Sequence, residues 1–73
     1  MENNFITFFA DILEMDANDI KLQDKFREYE KWDSLVYLSV IVMMDEEFGV
    51  QIETNDFNKL VSVEDLIRAV TKN

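Results

Sequence analysis

The sequence has no cysteine, no histidine, no proline and a single glycine. Each gap closes a class of explanation. Without cysteine there is no disulfide and no thiolate chemistry. Without histidine the chain lacks the usual general base, the usual activator of a nucleophilic serine and the commonest zinc ligand. Chemistry resting on carboxylates alone would need a cleft, which so small a domain can hardly enclose. Basic residues are also scarce: seven Lys and Arg stand against sixteen Asp and Glu, for a formal net charge of −9. They cannot build a phosphate-tracking stripe, so nucleic acid is not the expected partner, and an anionic membrane surface would repel the chain. A basic patch on another protein is the natural electrostatic match. No apolar run approaches the ~20 residues of a membrane span. The opening Met-Glu-Asn-Asn lacks the basic start of a secretory signal. A soluble cytoplasmic protein is expected.

What is present is apolar. Hydrophobic residues make up 48% of 73 residues, too many for a disordered chain and enough for one small domain over 1–73 with a modest core. Phe5, Phe8, Phe9, Ile12 and Leu13 follow the i, i+3, i+4, i+7, i+8 spacing of an amphipathic helix. This predicts a helix over about residues 4–15, capped by Asn3 or Asn4, with the phenylalanine stripe facing the core. Residues 16–32, DANDIKLQDKFREYEKW, read as a long loop pinned by Ile20, Leu22, Phe26 and Tyr29, with one helical turn near 24–28. An EF-hand register counted from Asp16 fails, because Ile20 and Lys21 fall where an oxygen ligand and a glycine are required.

A second helix is predicted from Asp33 or Ser34 to Phe48, with Asp33 as N-cap and Gly49 closing it. Leu35, Val36, Leu38, Val40, Ile41, Val42, Met43 and Met44 cover almost every direction around its axis. A domain of this size cannot easily bury such a helix on all sides, so part of it is expected to face solvent as a binding surface. The wheel suggests Leu35, Leu38, Val42 and Phe48 for the core and Val36, Tyr37, Val40 and Met44 for the outward face. Val50 and Ile52 anchor a short link. Thr54 or Asn55 caps a brief helix to about Leu60. Ser62 and Asp65 approximate a capping box before a last helix to about Lys72, whose apolar face is Val63, Leu66, Ile67 and Val70. With no strand alternation of useful length, the fold class is all-α: a small bundle of three main helices and one short one.

Three readings of Ser34 compete. It can simply start a helix beside Asp33, as Ser and Asp do for hydrogen-bonding reasons. It can be a nucleophile, but no histidine exists to activate it and no lysine sits beside it at helical spacing. It can be a point of covalent attachment. Asp33-Ser34-Leu35 at the start of the second helix, Asp45-Glu46-Glu47-Phe48-Gly49 near its end, and the helix, long loop, helix, short helix, helix order together resemble the acyl carrier protein family over nearly the whole chain. The resemblance implies that Ser34 takes a 4′-phosphopantetheine arm from coenzyme A through a separate phosphopantetheinyl transferase. The arm's thiol would carry an acyl or aminoacyl group as a thioester for loading and transferring enzymes of fatty acid, polyketide or related biosynthesis. The protein would be a carrier and not an enzyme, and a monomer. A helix N-terminus suits an attached phosphodiester, and the missing His and Cys cease to matter because the thiol arrives with the cofactor.

The sequence departs from the family at two places. A glycine usual two residues before the Asp is Lys31, so the loop is expected to enter the helix along a different path. Trp32 follows it and is read as an anchor on the core or as a neighbour of the phosphate or arm; Lys31 is either exposed or paired with that phosphate. Val36, Tyr37 and Ser39 replace acidic residues usual after Ser-Leu. Partner docking on Val36, Tyr37, Val40, Met44, Asp45, Glu46 and Glu47 is therefore expected to lean on apolar contact, with service in a dedicated pathway as plausible as in housekeeping lipid synthesis. The alternative is a small acidic helical interaction module without covalent cofactor.

Overall fold

The first helix ends without a glycine. The computed structural model describes residues 2–71, and α1 spans Glu2–Leu13. It stops because Glu14 adopts a left-handed conformation (φ 57°). That turn lets the Met15 amide donate to the Ala10 carbonyl at 2.9 Å and the Glu14 amide to the Asp11 carbonyl at 3.2 Å. This is the double bond pattern that closes helices, made here by a residue with a Cβ. The helix thus lies two residues earlier than periodicity predicts. Asn3 and Asn4 fall inside its first turn, and the cap position lies outside the described residues. Phe5, Phe9 and Leu13 are fully buried, and Phe8 and Ile12 half-buried.

The 16–32 segment contains two single 3₁₀ turns, Ala17–Asp19 and Phe26–Glu28. Asp16 accepts the Asn18 amide at 2.9 Å, the Asx geometry expected of such a loop. Ile20 and Phe26 are buried and Tyr29 is half-buried, as predicted. Leu22 is not an anchor: its side chain is exposed and only its carbonyl holds, accepting the Glu64 amide at 2.9 Å. With the Asp24 carbonyl accepting the Val63 amide at 3.0 Å, the loop supplies acceptors for the orphan donors at the start of the last helix.

Helix α2 spans Ser34–Phe48 and ends at Gly49, whose left-handed φ of 68° favours glycine through the backbone alone, since the space beside it is open. Helix α3 is one turn, Thr54–Phe57, preceded by Glu53, which gives no side-chain cap. The Asn58 amide closes its carboxyl end on the Thr54 carbonyl, and Arg27 ties that end to the loop by donating to the Leu60 carbonyl and, at 3.0 Å, to the Phe57 carbonyl. Helix α4 spans Val63–Thr71 and buries the four predicted residues Val63, Leu66, Ile67 and Val70; Lys72 lies outside the described residues. The predicted capping box is present: Ser62 Oγ accepts the Asp65 amide at 3.2 Å while the Asp65 carboxylate accepts the Val61 and Ser62 amides at 2.9 and 3.1 Å. The bundle is all-α, apart from one isolated bridge between Lys25 and Ser62. No helix among the described residues is long and apolar enough to cross a membrane.

Except at Phe48, which packs on the core as suggested, the faces of α2 run against the wheel's suggestion. Leu35, Leu38 and Val42 are 75%, 55% and 51% exposed, whereas Val40 and Met44 are fully buried. Phe48 is half-buried against the rings of Phe5 and Phe8 at 5.9 and 6.2 Å. Both stripes are apolar, so periodicity cannot choose between them. The neighbours decide: Tyr37 meets Phe57 at 5.1 Å and Phe48 meets α1, and these two contacts fix the helix's rotation.

Candidate functional site

Asp33 has extended backbone (φ −153°, ψ −173°) and its Oδ1 accepts the Val36 amide at 2.8 Å. Its carbonyl accepts the Tyr37 amide at 2.9 Å. One orphan donor of the helix start is thereby satisfied. Among the described residues no acceptor meets the amides of Ser34 and Leu35. Two N–H groups and the positive end of the α2 dipole therefore point out of the helix beside an exposed serine side chain. Among the described residues no hydrogen bond reaches the Ser34 hydroxyl, and the carboxylate of its neighbour Asp33 is engaged as the cap.

A shallow cavity of about 420 Å³ opens beside Ser34, lined by Trp32, Asp33, Ser34, Tyr37, Thr54 and Asn58. One wall comes from the loop and α2, the other from α3. Trp32 and Tyr37 bring aromatic rings to its lining. Trp32 lies parallel to Phe57 (6.4 Å, 8°) and edge-on to Phe26 at 5.0 Å. Half-buried, it plugs the loop onto the core, as the anchor reading expects, and it lines the same cavity as Ser34. Lys31 is exposed, with Nζ 3.3 Å from Glu14 Oε1, so its charge is turned toward the end of α1. Lys31 does not take the left-handed conformation of a glycine; among the described residues only Glu14 and Gly49 have positive φ.

Of the candidate docking residues, Val40 and Met44 are fully buried and cannot meet a partner, while Val36 and Tyr37 are half-buried. Asp45, Glu46 and Glu47 are exposed. Sequence reasoning missed the residues that do project from α2: Leu35, Leu38 and Val42, spaced i, i+3, i+7 from the start of the helix toward that acidic cluster. It also missed Thr54 and Asn58 as walls of the cavity, and Arg27 as the tie between loop and α3. Away from the site, burial and then the Asp24 carboxylate, which accepts a hydrogen bond from the Tyr29 hydroxyl at 2.7 Å, push that phenol above its ordinary value and keep it a donor.

A model of the family described as phosphopantetheine attachment site matches residues 5–70. Curated relatives agree. An acyl carrier protein of Nitratidesulfovibrio vulgaris strain DP4 is 38% identical over 71 residues, covering 97% of this chain and 93% of its own. That of strain Miyazaki F is 34% identical over 67 residues, 92% of this chain and 88% of the relative. One from Campylobacter jejuni subsp. doylei is 33% identical over 61 residues, 84% and 79% of the two chains. Since the family match runs across α1, the loop, α2 and α4, and the DP4 alignment covers 97% of the chain, the chain belongs to the phosphopantetheine attachment site family.

Proposed function

We propose that the protein is an acyl carrier, a single domain over residues 1–73, that receives 4′-phosphopantetheine on the Ser34 hydroxyl. The observation that carries this reading is the placement of Ser34: exposed, first in α2, behind an Asp33 cap, inside the stretch matched by the family. The residues fit the group. A phosphodiester is anionic, and the free Ser34 and Leu35 amides with the helix dipole favour an anion there. Thr54 and Asn58 give the adjoining cavity hydrogen-bonding walls. Once attached, the group supplies a flexible arm ending in a thiol, on which an acyl or aminoacyl group is held as a thioester. The chain itself presents the hydroxyl, holds the helix start in place and needs no base, since a phosphopantetheinyl transferase does the chemistry. It is a carrier, not a catalyst.

The partners of this reading are that transferase and the enzymes that load and unload the arm, in the cytoplasm, with the carrier a monomer. Their docking face is Leu35, Leu38 and Val42, with Asp45, Glu46 and Glu47 at its far end, in place of Val40 and Met44. The test is intact mass after incubation with coenzyme A and a broad-specificity transferase. A gain of one phosphopantetheine, lost in Ser34→Ala, is expected. No gain with several transferases would leave the chain as an unmodified helical interaction module.

A further inference from the structure

Granting Ser34 as the attachment point, the remaining question is where the carried group lies. The two rings that line the cavity back onto a buried ring cluster. Phe26 and Phe57 are 0% and 1% exposed, and Trp32 and Tyr37 pack their rings against them at 5.0 and 5.1 Å. Phe26 and Phe57 also touch each other, at 5.7 Å. The Arg27 guanidinium lies over both of these phenylalanines, 4.6 and 5.3 Å from their centroids, while its N–H groups hold the carbonyls of Phe57 and of Leu60 just beyond α3. Four flat rings locked edge and face, with a tethered cation behind them, leave no slack of the kind a flexible Leu or Met would give. A chain entering from Ser34 would have to expel a buried phenylalanine.

What the site offers lies on the surface: the rims of Trp32 and Tyr37, the Thr54 hydroxyl and the Asn58 amide. Flat rings and hydrogen-bonding groups suit amides and small polar or aromatic groups. A shallow surface of this kind covers little of a long alkyl chain, which only burial would favour.

We propose that this carrier holds its cargo outside the bundle, with the arm laid in the Trp32–Tyr37–Thr54–Asn58 cavity, and that the cargo is a short or polar acyl or aminoacyl group. This rests on the attachment reading above, and the experiment separates the two. The holo, acetyl and decanoyl forms are made with a transferase and the matching coenzyme A derivatives, and each is verified by mass. Melting temperature, amide chemical shifts and the emission of Trp32, the only tryptophan, are then compared. The arm is expected to change Trp32 emission and to shift the Tyr37, Thr54 and Asn58 amides. The decanoyl form is expected to melt with the acetyl form. A decanoyl form that melts several degrees higher, with shifts at Phe26, Val40 and Phe57, would overturn the proposal and leave the attachment reading intact. Shifts confined to Phe8 and Ile12, in the groove between α1 and α2, would overturn it equally. So would an arm that leaves Trp32 and the cavity amides unchanged. Absence of any mass gain would remove the attachment reading itself, and this proposal with it.

Discussion

The Asp33 carboxylate, 2.8 Å from the Val36 amide, decides where α2 starts and therefore where Ser34 points. Asp33→Ala should cost about 1 kcal/mol in urea denaturation, and Asp33→Asn should recover most of it, since an amide oxygen accepts the same bond. Glu14 is the opposite kind of residue, one the fold tolerates. A left-handed non-glycine costs roughly 1–2 kcal/mol, against which its exposed pair with Lys31 contributes at most about 1 kcal/mol. Glu14→Gly should raise the melting temperature or leave it unchanged; a clear fall would mean that the turn is held by something other than its backbone. Asp33 was legible in the sequence because a cap and its helix are adjacent. Glu14 and Arg27 were not. A glutamate carries no turn signal, and the carbonyls that Arg27 reaches lie thirty and more residues away. Arg27→Met, which keeps the stem and removes the donors, should cost about 1.5–3 kcal/mol. It should also speed amide exchange in α3.

At the scale of the element, α2 carries two apolar faces with different duties. Met44→Ala should cost about 2–5 kcal/mol. Leu38→Ala should stay within about 0.5 kcal/mol of the parent yet weaken partner binding. The same face predicts a shallow salt dependence: affinity for a partner enzyme should change little between low and moderate salt, and a steep loss would return the contact to Asp45, Glu46 and Glu47. The wheel correctly indicated that α2 could not be wholly buried but inverted the two faces, since rotation is fixed by ring contacts distant in sequence. In α4, by contrast, the apolar stripe is one-sided and the capping box local, so every buried position was readable. The amides of Val61 and Ser62 hold the Asp65 carboxyl below its ordinary 3.8, with Arg68 adding to the effect. Folded Asp65 thus binds a proton less readily than unfolded Asp65. Its contribution is complete above about 3.8 and is lost as pH falls through the lower folded value. Asp65→Asn should be less stable at neutral pH and should flatten the acid limb of the stability curve.

Across the whole molecule, a net charge of −9 is packed within a radius of gyration of 10.9 Å, about that of any compact chain of this length. Self-repulsion of that size should make moderate salt raise the urea midpoint, even as partner affinity stays nearly level. All-α class and helix order were legible because each long helix carries its own period. What joins the helices was not, because the joints are backbone carbonyls and cross-loop rings that no local pattern announces. One such joint has a further consequence. The Leu22 and Asp24 carbonyls cap α4, in a loop that also bears Trp32 at the serine's edge. The Val63 and Glu64 amides can therefore meet deuterium from solvent only when that loop lifts. Their exchange rates become a clock for how often the wall beside Ser34 swings away, readable at residues that no partner need touch.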